Sequence, residues 1–508
     1  MDNTNLNNQI SVTPPTQSHY PTGKRELLFG LVLLVFGWLL CNSIFYAGLN
    51  LGFSIFSAAI VICSAVYLFV SGCKPTLYSL LLLGCALVIC ASFARGDDAF
   101  VKFVLFCFLL LSVNLGLCLL AGQNRRDPRG FLNLLDFFRT VFILGISKAY
   151  PSFRGLRKGI KESGSAGKKG GAVLVGLLIC VPLLGIMIPL LTSADAAFEA
   201  VLKKLPDWNF GEIVGSIVTG TLLACFLFVR GTALKHEPKA APATGKGKGV
   251  NVLTVNTVLM AVSVLYLVYL FSQLAYFSGG FSGILPEGYT MAEYARRGFF
   301  ELAWLCAINL GLIALAVGLT STKSSAPLLT RILCLFVGVV TLFFVVSASA
   351  KMFLYIDTYG LTRLRVLTQV IIFWLGITTV FVLLWLFIPK LPYMKLVLIS
   401  AMLIGAVVAW ADVDTVVARY NVTAYQTGKL DTIDMEHLDS LGNGAIPYIA
   451  QLKTDSDPDV AETAKNLLFF YYGEDYYRTE PCLIKDFRNW NYVNHEAESF
   501  IIFLRNVW

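Results

Sequence analysis

Charged side chains are scarce in this chain. Asp, Glu, Lys and Arg account for 14% of its 508 residues, whereas 56% are hydrophobic. A soluble globular domain contains about 25% charged residues, because its surface has to be hydrated. The composition therefore excludes an ordinary soluble protein and predicts one that lipid surrounds along most of its length.

Histidine is also rare, and the sequence patterns of common catalytic sites are missing. The four histidines form no HExxH pair, and the cysteines form no CxxC motif. The glycine-rich run at 162–171 lacks the GxxxxGK[ST] spacing of a phosphate-binding loop. No GxSxG element is present either. We therefore expect a protein that is not an enzyme, with no catalytic residues, no metal and no cofactor.

Long apolar runs are what the chain has in abundance. About 20 apolar residues in a helix cross the hydrocarbon core of a bilayer, where lipid offers backbone groups no other partner. Each run has about this length and is rich in Leu, Val, Ile and Phe. They predict an all-α, polytopic transmembrane helix bundle with about eleven spans, at 27–46, 51–70, 76–93, 100–121, 171–191, 212–230, 252–277, 299–320, 329–353, 366–388 and 394–412.

Lysine and arginine are distributed unevenly between the loops. One set of loops, which includes the segment 122–170 and the flexible linker 236–250, is much richer in these cations than the opposite set. Cytoplasmic loops carry such an excess. We therefore predict a cytoplasmic N-terminus and, after an odd number of spans, an extracytoplasmic tail, in the bacterial cytoplasmic (inner) membrane. Because the cations are spread along juxtamembrane loops, we expect no nucleic-acid binding.

The segment 131–147 is apolar but short, and Asp136 and Arg139 interrupt it. Its apolar residues recur at helical spacing, which favours an amphipathic helix lying in the cytoplasmic interface. A re-entrant or spanning segment stays open as the alternative. The flanking cations predicted to contact lipid headgroups are Arg125, Arg126, Arg129, Arg154, Arg157 and Lys158.

The tail at 413–508 is acidic, and from Asp412 onward 16 Asp and Glu stand against 8 Lys and Arg. Pro458 follows an N-capping Asp457, and alanines and leucines recur behind them at helical spacing. The run 445–470 resembles one unit of a HEAT-like helical repeat, and a small helical cap without repeat ancestry is an equal alternative. A single unit cannot bury its own apolar face. We predict a small α-helical domain that packs on the rest of the tail, on the membrane part or on a partner.

Charged and polar residues gather near one end of the last four predicted spans. Arginine side chains can hold a carboxylate or phosphate, and nearby acids can orient them, which predicts an outward-facing polar site between spans 8–11. The alternative is that these charges only pair with one another or reach the headgroups. The candidate residues are Tyr294, Arg296, Arg297, Glu301, Asp357, Tyr359, Arg363, Arg365, Asp412, Asp414 and Asn421.

Three segments resemble a family of bacterial multi-pass membrane proteins. They are 294–302 (YARRGFFEL), 355–365 (YIDTYGLTRLR) and 412–421, the last followed by Leu438 and the run 445–447. The family is catalogued as domain of unknown function 4173, and the resemblance covers roughly residues 170–460. It implies a membrane location and no particular activity.

Two functions remain open for such a protein. The first is a transporter or permease-like protein that binds a small polar or anionic ligand at the polar site. The second is an envelope sensor or scaffold whose external tail binds a protein partner. The lipid bilayer is a partner in both. The predicted organisation is a disordered N-terminus (1–26), spans one to four (27–121), the basic cytoplasmic segment (122–170), spans five to eleven (171–412) and the tail domain (413–508).

Overall fold

The described part of the chain is mostly helical, with short turns and loops between the helices. The computed structural model describes residues 20–21, 23–124, 137–162, 210–238, 251–280, 299–320, 327–472 and 486–507, with isolated positions between 187 and 194. The longer helices of the membrane part are α1 (Lys24–Ala47), α2 (Leu51–Val70), α3 (Leu77–Ser92), α4 (Ala99–Leu120), α5 (Ala149–Glu162), α6 (Phe210–His236), α7 (Val252–Gly280), α8 (Phe299–Thr320), α9 (Leu328–Tyr359), α10 (Arg363–Phe387) and α11 (Tyr393–Ala411).

Nine of the helices in the described ranges are long and apolar enough to cross a membrane, namely α1, α2, α4 and α6 to α11. The predicted span at 76–93 corresponds to α3, which is apolar but has only 16 residues. Most of the predicted span at 171–191 lies outside the described residues. The prediction of an all-α polytopic helix bundle is confirmed, and the count of eleven spans stays a prediction.

Several helices begin at side chains that cap them. Thr76 and Ser79 form a reciprocal capping box at the start of α3. Asp98 accepts a hydrogen bond from the Val101 amide, at 2.7 Å, at the start of α4. Such caps satisfy amide groups that have no partner within the helix. They therefore fix where each helix begins and where its neighbouring loop lies.

The chain divides into two compact units, of which the first contains residues 1–42, 62–73 and 138–238. In this unit, α1 and α6 approach each other at two glycines. A Cβ atom on Gly37 would lie 2.8 Å from the carbonyl oxygen of Gly220, and one on Gly220 would lie 2.6 Å from the Cα atom of Trp38. Small residues allow membrane helices to pack this closely.

The predicted amphipathic segment also lies partly in the first unit. Residues Arg139–Leu144 form a π-helical turn and Gly145–Ser147 a helical turn ahead of α5. Thr140 and Leu144 are buried, whereas Phe138 and Phe142 are exposed. The described part of the segment therefore has a buried and an exposed side, and an amphipathic helix in the membrane interface stays a prediction. Residues 125–136, with Arg125, Arg126 and Arg129, lie outside the described part.

The second unit contains residues 43–61, 74–137 and 239–508. An apolar core of this unit joins α7 to α11, with Leu259, Ile313, Val337 and Ile372 almost fully buried. A polar contact runs through this core, because Asn309 accepts a hydrogen bond from the Tyr266 hydroxyl at 2.6 Å and donates one to Thr341 at 3.0 Å. Interhelical hydrogen bonds of this kind fix the register of membrane helices.

The acidic tail belongs to the second unit as well. It contains α12 (Val413–Gln426), α13 (Met435–Ser440), α14 (Ile446–Ile449), α15 (Pro458–Tyr472) and α16 (Tyr492–Val507), with 3-10 turns at Gly442–Ala445 and Ala450–Thr454. Its apolar core includes Val417, Leu438 and Leu452 and packs against Leu361 and Val408 of the membrane part. The run 445–470 contributes Ile449, Leu452 and Leu468 to this core, and its likeness to a HEAT-like repeat stays a prediction.

Candidate functional site

Charged and amide side chains of the second unit meet where the helix ends of the membrane part contact the tail. Here α3 ends and α4 begins, α9 ends and α10 begins, and α11 joins α12. We call this group the polar cap. It consists of Asn50, Arg95, Asp97, Asp98, Lys102, Arg363, Asp412, Asp414 and Asn491.

Arg363 lies between two carboxylates that come from different parts of the sequence. Its Nε atom is 2.7 Å from Oδ1 of Asp414 and 2.8 Å from Oδ2 of Asp98. The single Nε hydrogen is donated to Asp414, so Asp98 Oδ2 is held by charge attraction without a hydrogen bond. The side chains of Asp98 and Asp414 are only 5% and 10% exposed, whereas that of Arg363 is 40% exposed. The single positive charge of Arg363 thus offsets part of the negative charge of two largely buried acids.

The other oxygen of Asp98 has a structural task. It caps α4, as described above, while Oδ2 faces Arg363. One carboxylate therefore fixes both the start of α4 and the position of the α10 N-terminus. A ligand that displaced Asp98 from Arg363 would also disturb this cap.

Asp412 joins α11 to α12 in a strained backbone conformation. Its φ of 53° makes it the one non-glycine residue in the described ranges with positive φ. Its side chain caps α12 by accepting a hydrogen bond from the Thr415 amide, at 3.3 Å. The same carboxylate also accepts a hydrogen bond from the Thr415 hydroxyl. Burial raises the pKa of Asp412 above its ordinary value, although the two hydrogen bonds oppose the shift.

The pKa of Asp414 is raised as well. Burial raises its pKa, and the hydrogen bond and positive charge of Arg363 oppose this shift. The negative charges of Asp412 and Asp98 add to the increase. The polar cap therefore contains carboxyl groups that bind a proton more readily than exposed ones do.

Lys102 is buried beside two asparagines. Its Nζ atom donates to Oδ1 of Asn50 at 2.7 Å and lies 3.1 Å from Asp97. Asn491, which is completely buried, also donates to Asn50 Oδ1, at 3.3 Å. These contacts join the α1–α2 loop, α4 and the start of α16 through side chains that have little access to water. The Lys102 cation is thus already paired, and an incoming anion would have to displace Asp97.

Arg95 connects the α3–α4 loop to two other elements. Its Nε atom donates to the carbonyl oxygen of Trp410 at 3.1 Å, and its guanidinium lies 3.5 Å from the ring centre of Tyr492. The Trp410 indole donates to the Ser92 hydroxyl at 2.9 Å. Hydrogen bonds and a cation–π contact therefore hold this loop against the end of α11 and the start of α16.

The segment 486–493 is attached to two loops through its main chain. The amides of Leu51 and Gly52 donate to the carbonyl oxygens of Trp490 and Arg488 at 3.1 and 3.2 Å. The Tyr492 amide donates to the carbonyl oxygen of Ala94 at 3.0 Å. The segment thus holds the α1–α2 and α3–α4 loops in fixed positions.

A second set of contacts lies at the turn between α9 and α10. Asn421 bonds to the main chain of Leu361, and Arg365 donates to the carbonyl oxygens of Tyr359, at 3.0 Å, and Gly360. The Arg365 guanidinium also lies 4.2 Å from the ring centre of Tyr355. Arg365 therefore caps the end of α9.

A small cavity borders the polar cap. A cavity of about 10 Å³ lies at its inner side, where a single water molecule is close to the upper limit of what fits. Its wall includes Ser92, Asp98, Lys102 and Asp412. This volume is far below the several hundred Å³ of a small-molecule pocket.

The predicted site residues fall into several groups. Arg363, Asp412 and Asp414 meet in the polar cap, and Asn421, Arg365 and Tyr359 meet at the neighbouring turn. Asp357 instead forms an exposed ion pair with Lys429 at 2.6 Å. Glu301 is exposed in the first turn of α8, where it interacts electrostatically with Lys351. Tyr294, Arg296 and Arg297 lie outside the described residues.

Several residues of the polar cap were not predicted. They lie in or between the first four helices or in the far tail, away from spans 8–11, and are Asn50, Arg95, Asp97, Asp98, Lys102 and Asn491. One local signal was present, because the run 95–98 (RGDD) separates two apolar runs and ends in an N-capping Asp98. Nothing local connects that run to Arg363.

The fold and the paired polar cap define a polytopic, all-α integral membrane protein. Residues 81–452 match the family described as Domain of unknown function (DUF4153), and the chain belongs to this family. A family of unknown function is therefore confirmed, whereas the number 4173 is not matched, and the match begins at 81 rather than at about 170. No curated protein and no solved structure matches the chain. The matched part includes Asp98, Arg363, Asp412 and Asp414.

Proposed function

We propose that the protein is a non-enzymatic membrane sensor or scaffold whose helical tail is a fixed platform for a protein partner. The observation that carries the proposal is the pairing of Arg363 with Asp98 and Asp414. The guanidinium already has the carboxylate partners that a small anionic ligand would supply. The polar cap therefore serves to join the tail to the helix ends rather than to bind a solute.

The contacts around this pairing support a tail that stays in place. Asn421 and the segment 486–493 attach the tail to three loops through main-chain hydrogen bonds. The apolar core of the tail continues onto Leu361 and Val408. Ion pair, hydrogen bonds and apolar packing would all have to break together for the tail to swing away.

A transporter or permease-like protein is the second candidate. The small cavity beside Asp98 and Asp412 is the observation in its favour, because an enlarged form of it would expose acids and Lys102 to a polar solute. Transport requires that such a site open to at least one side of the membrane. The two proposals therefore differ in whether the inner wall of the polar cap ever meets water.

The surface available for a partner is acidic. Exposed carboxylates lie on and around α13 and α15, and a protein segment rich in Lys or Arg would complement them. They are Asp431, Asp434, Glu436, Asp457, Asp459 and Glu462. We propose further that this surface is extracytoplasmic and that the N-terminus is cytoplasmic, following the distribution of cations between the loops.

Cysteine labelling tests the proposal without a known ligand. In a full-length chain whose native cysteines are replaced, Ser92→Cys places a thiol in the cavity wall, and Ser456→Cys places one on the exposed tail. Membrane vesicles of both orientations would be treated with a membrane-impermeant maleimide. We expect labelling of Ser456→Cys in one orientation, and of Ser92→Cys only after denaturation. Labelling of Ser92→Cys in native vesicles would instead favour the transporter.

The same variants test orientation. In intact cells, Ser456→Cys should react with the impermeant reagent, because the tail is proposed to face outward. Reaction only after lysis would place the tail in the cytoplasm and would mean that the number of spans is even. The scaffold proposal would survive that result, but its partner would then be intracellular.

A further inference from the structure

One exposed face of the first unit changes from apolar to cationic along its length. Phe138, Phe142, Ile146, Tyr150 and Phe153 recur at spacings of three and four residues and are 40% to 69% exposed. The same face of α5 then continues with the exposed cations Arg154, Arg157 and Lys158. From 137 to 161 the sequence contains no Asp or Glu. The face is thus apolar at one end and uniformly positive at the other.

The opposite face of this segment is fixed to α6. A Cβ atom on Gly145 would lie 2.6 Å from the ring of Phe226, so the two elements touch closely. The hydroxyls of Ser152 and Thr232, both buried, lie 2.9 Å apart. The segment can therefore not turn its apolar residues inward, because the inward side is already filled.

Lys148 lies within the apolar end of the segment, and its side chain pairs with a carboxylate of the same unit. Its Nζ atom lies 2.9 Å from Oε1 of Glu237, a carboxylate that also accepts a hydrogen bond from the Tyr20 hydroxyl. Arg139, the other cation of this stretch, also interacts electrostatically with Glu237. The exposed cations of the face therefore begin at Arg154.

We propose that this face, from Phe138 to Lys158, binds the anionic phospholipids of one membrane leaflet. Aromatic and aliphatic side chains enter the acyl region, Tyr150 lies at the level of the headgroups, and the three cations contact phosphates. Aromatic residues prefer this level, and cations just beyond it attract negatively charged lipids. The proposal concerns the first unit and is independent of the function proposed for the tail.

Alternative occupants fit the face less well. A second copy of the chain would bring three further cations against these three, and residues 137–161 contain no acid that would relieve the repulsion. A zwitterionic leaflet would cover the aromatic residues but would leave the cations without a net opposite charge. Anionic lipid satisfies both ends of the face at once.

The test compares lipid retention by the purified full-length protein. Protein in mixed micelles of phosphatidylglycerol and phosphatidylcholine would be analysed by native mass spectrometry for the two bound lipids. We expect the wild-type chain to retain phosphatidylglycerol several-fold more than phosphatidylcholine. The triple variant Arg154→Gln/Arg157→Gln/Lys158→Gln should lose most of that preference. A charge-conserving variant, Arg154→Lys/Arg157→Lys, should keep it.

A matched triple variant controls for net charge. Arg419→Gln/Lys453→Gln/Lys465→Gln removes three cations from the tail, which belongs to the second unit. It should retain phosphatidylglycerol like the wild type, and added salt should weaken retention by the wild type, because headgroup contacts are screened. Equal loss in both triple variants, or no preference in the wild type, would overturn the proposal. So would a concentration-dependent dimer that Phe142→Ser abolishes, since the face would then be occupied by a second copy.

Discussion

Asn421 uses both ends of its side-chain amide on the main chain of Leu361. Its Oδ1 atom accepts the Leu361 amide hydrogen at 2.7 Å, and its Nδ2 atom donates to the Leu361 carbonyl oxygen at 2.8 Å. Leu361 lies in the turn between α9 and α10, whereas Asn421 lies in α12 of the tail. The Asn421 side chain thus satisfies both main-chain polar groups of Leu361, which lie outside any helix. It also joins the tail to the membrane part.

The first prediction concerns this double hydrogen bond. Asn421→Ala leaves two main-chain groups of Leu361 without their partner, and we expect the free energy of unfolding to fall by about 2–3 kcal/mol. The fall should appear as a lower apparent melting temperature of the purified protein in a single detergent. Thr423→Ala, at an exposed position of the same helix, is the matched control and should change stability by less than about 0.5 kcal/mol. Equal effects of both variants would refute the role of the amide.

The second prediction concerns Gly360, which precedes Leu361. Its φ of 75° and ψ of −176° lie in a region that only glycine adopts readily, and a Cβ atom would lie 2.7 Å from Oδ1 of Asn421. Gly360→Ala should therefore destabilise the protein by about 2–3 kcal/mol. Gly428→Ala is the control, because Gly428 also has positive φ, 69°, but a Cβ atom there would meet no other atom within 4 Å. Gly428→Ala should lower the free energy of unfolding by about 1 kcal/mol, because only the backbone strain of positive φ opposes the alanine there. Thermal unfolding in the same detergent measures both variants, and equal losses would show that the contact with Asn421 is unimportant.

The third prediction concerns the positively charged guanidinium of Arg363, which lies between Asp98 and Asp414. Arg363→Gln leaves Asp98 and Asp414 facing each other without a cation. A wholly buried pair broken in this way costs about 3–5 kcal/mol, and we expect about 2–3 kcal/mol here because Arg363 is 40% exposed. Arg419→Gln removes an exposed cation from α12 and should have little effect. Thermal unfolding of the two variants side by side measures the difference, and a neutral Arg363→Gln would show that the polar cap is not held by charge.

The fourth prediction concerns pH. Burial raises the pKa of Asp412, so the folded protein binds a proton there more tightly than the unfolded chain does. That contribution to stability is present at pH values below the unfolded pKa and is lost as the pH rises through the folded pKa. Asp412→Asn, which keeps an acceptor for Thr415, should therefore be more stable than the wild type at neutral pH, with the difference shrinking as the pH falls.

Melting curves recorded from acidic to neutral pH check this sign. Asp457→Asn, at an exposed position of the tail, should follow the wild-type curve at every pH. If Asp412→Asn is instead less stable than the wild type at neutral pH, the carboxylate of Asp412 is stabilised in its charged form and its hydrogen bonds outweigh its burial.

The part of the site that could be predicted from the sequence is the part with a local signal. Arg363, Asp412 and Asp414 stand at the ends of apolar runs, where a charge is conspicuous, and all three lie in the polar cap. Glu301 and Asp357 carried the same signal but are exposed. A charge at the end of a span marks the level of the membrane surface, and it does not indicate which way the side chain turns.

The sequence by itself determined the class of this protein. Lipid imposes a length and a composition on every segment that crosses it, so apolar runs can be recognised without knowledge of their neighbours. Helix starts such as Asp98 and Pro458 could likewise be recognised, because caps act within three or four residues.

Only the tertiary structure decided which of the charged residues meet. Asp98 and Arg363 are far apart in the sequence, as are Asn50 and Asn491, and no local pattern couples one member of each pair to the other. Their pairing depends on how the helix ends pack and on the course of the tail across the loops. A polar site can bind a ligand only if its own side chains do not already pair with one another. That depends on distances of about 3 Å between groups from separate helices, which only the tertiary structure determines.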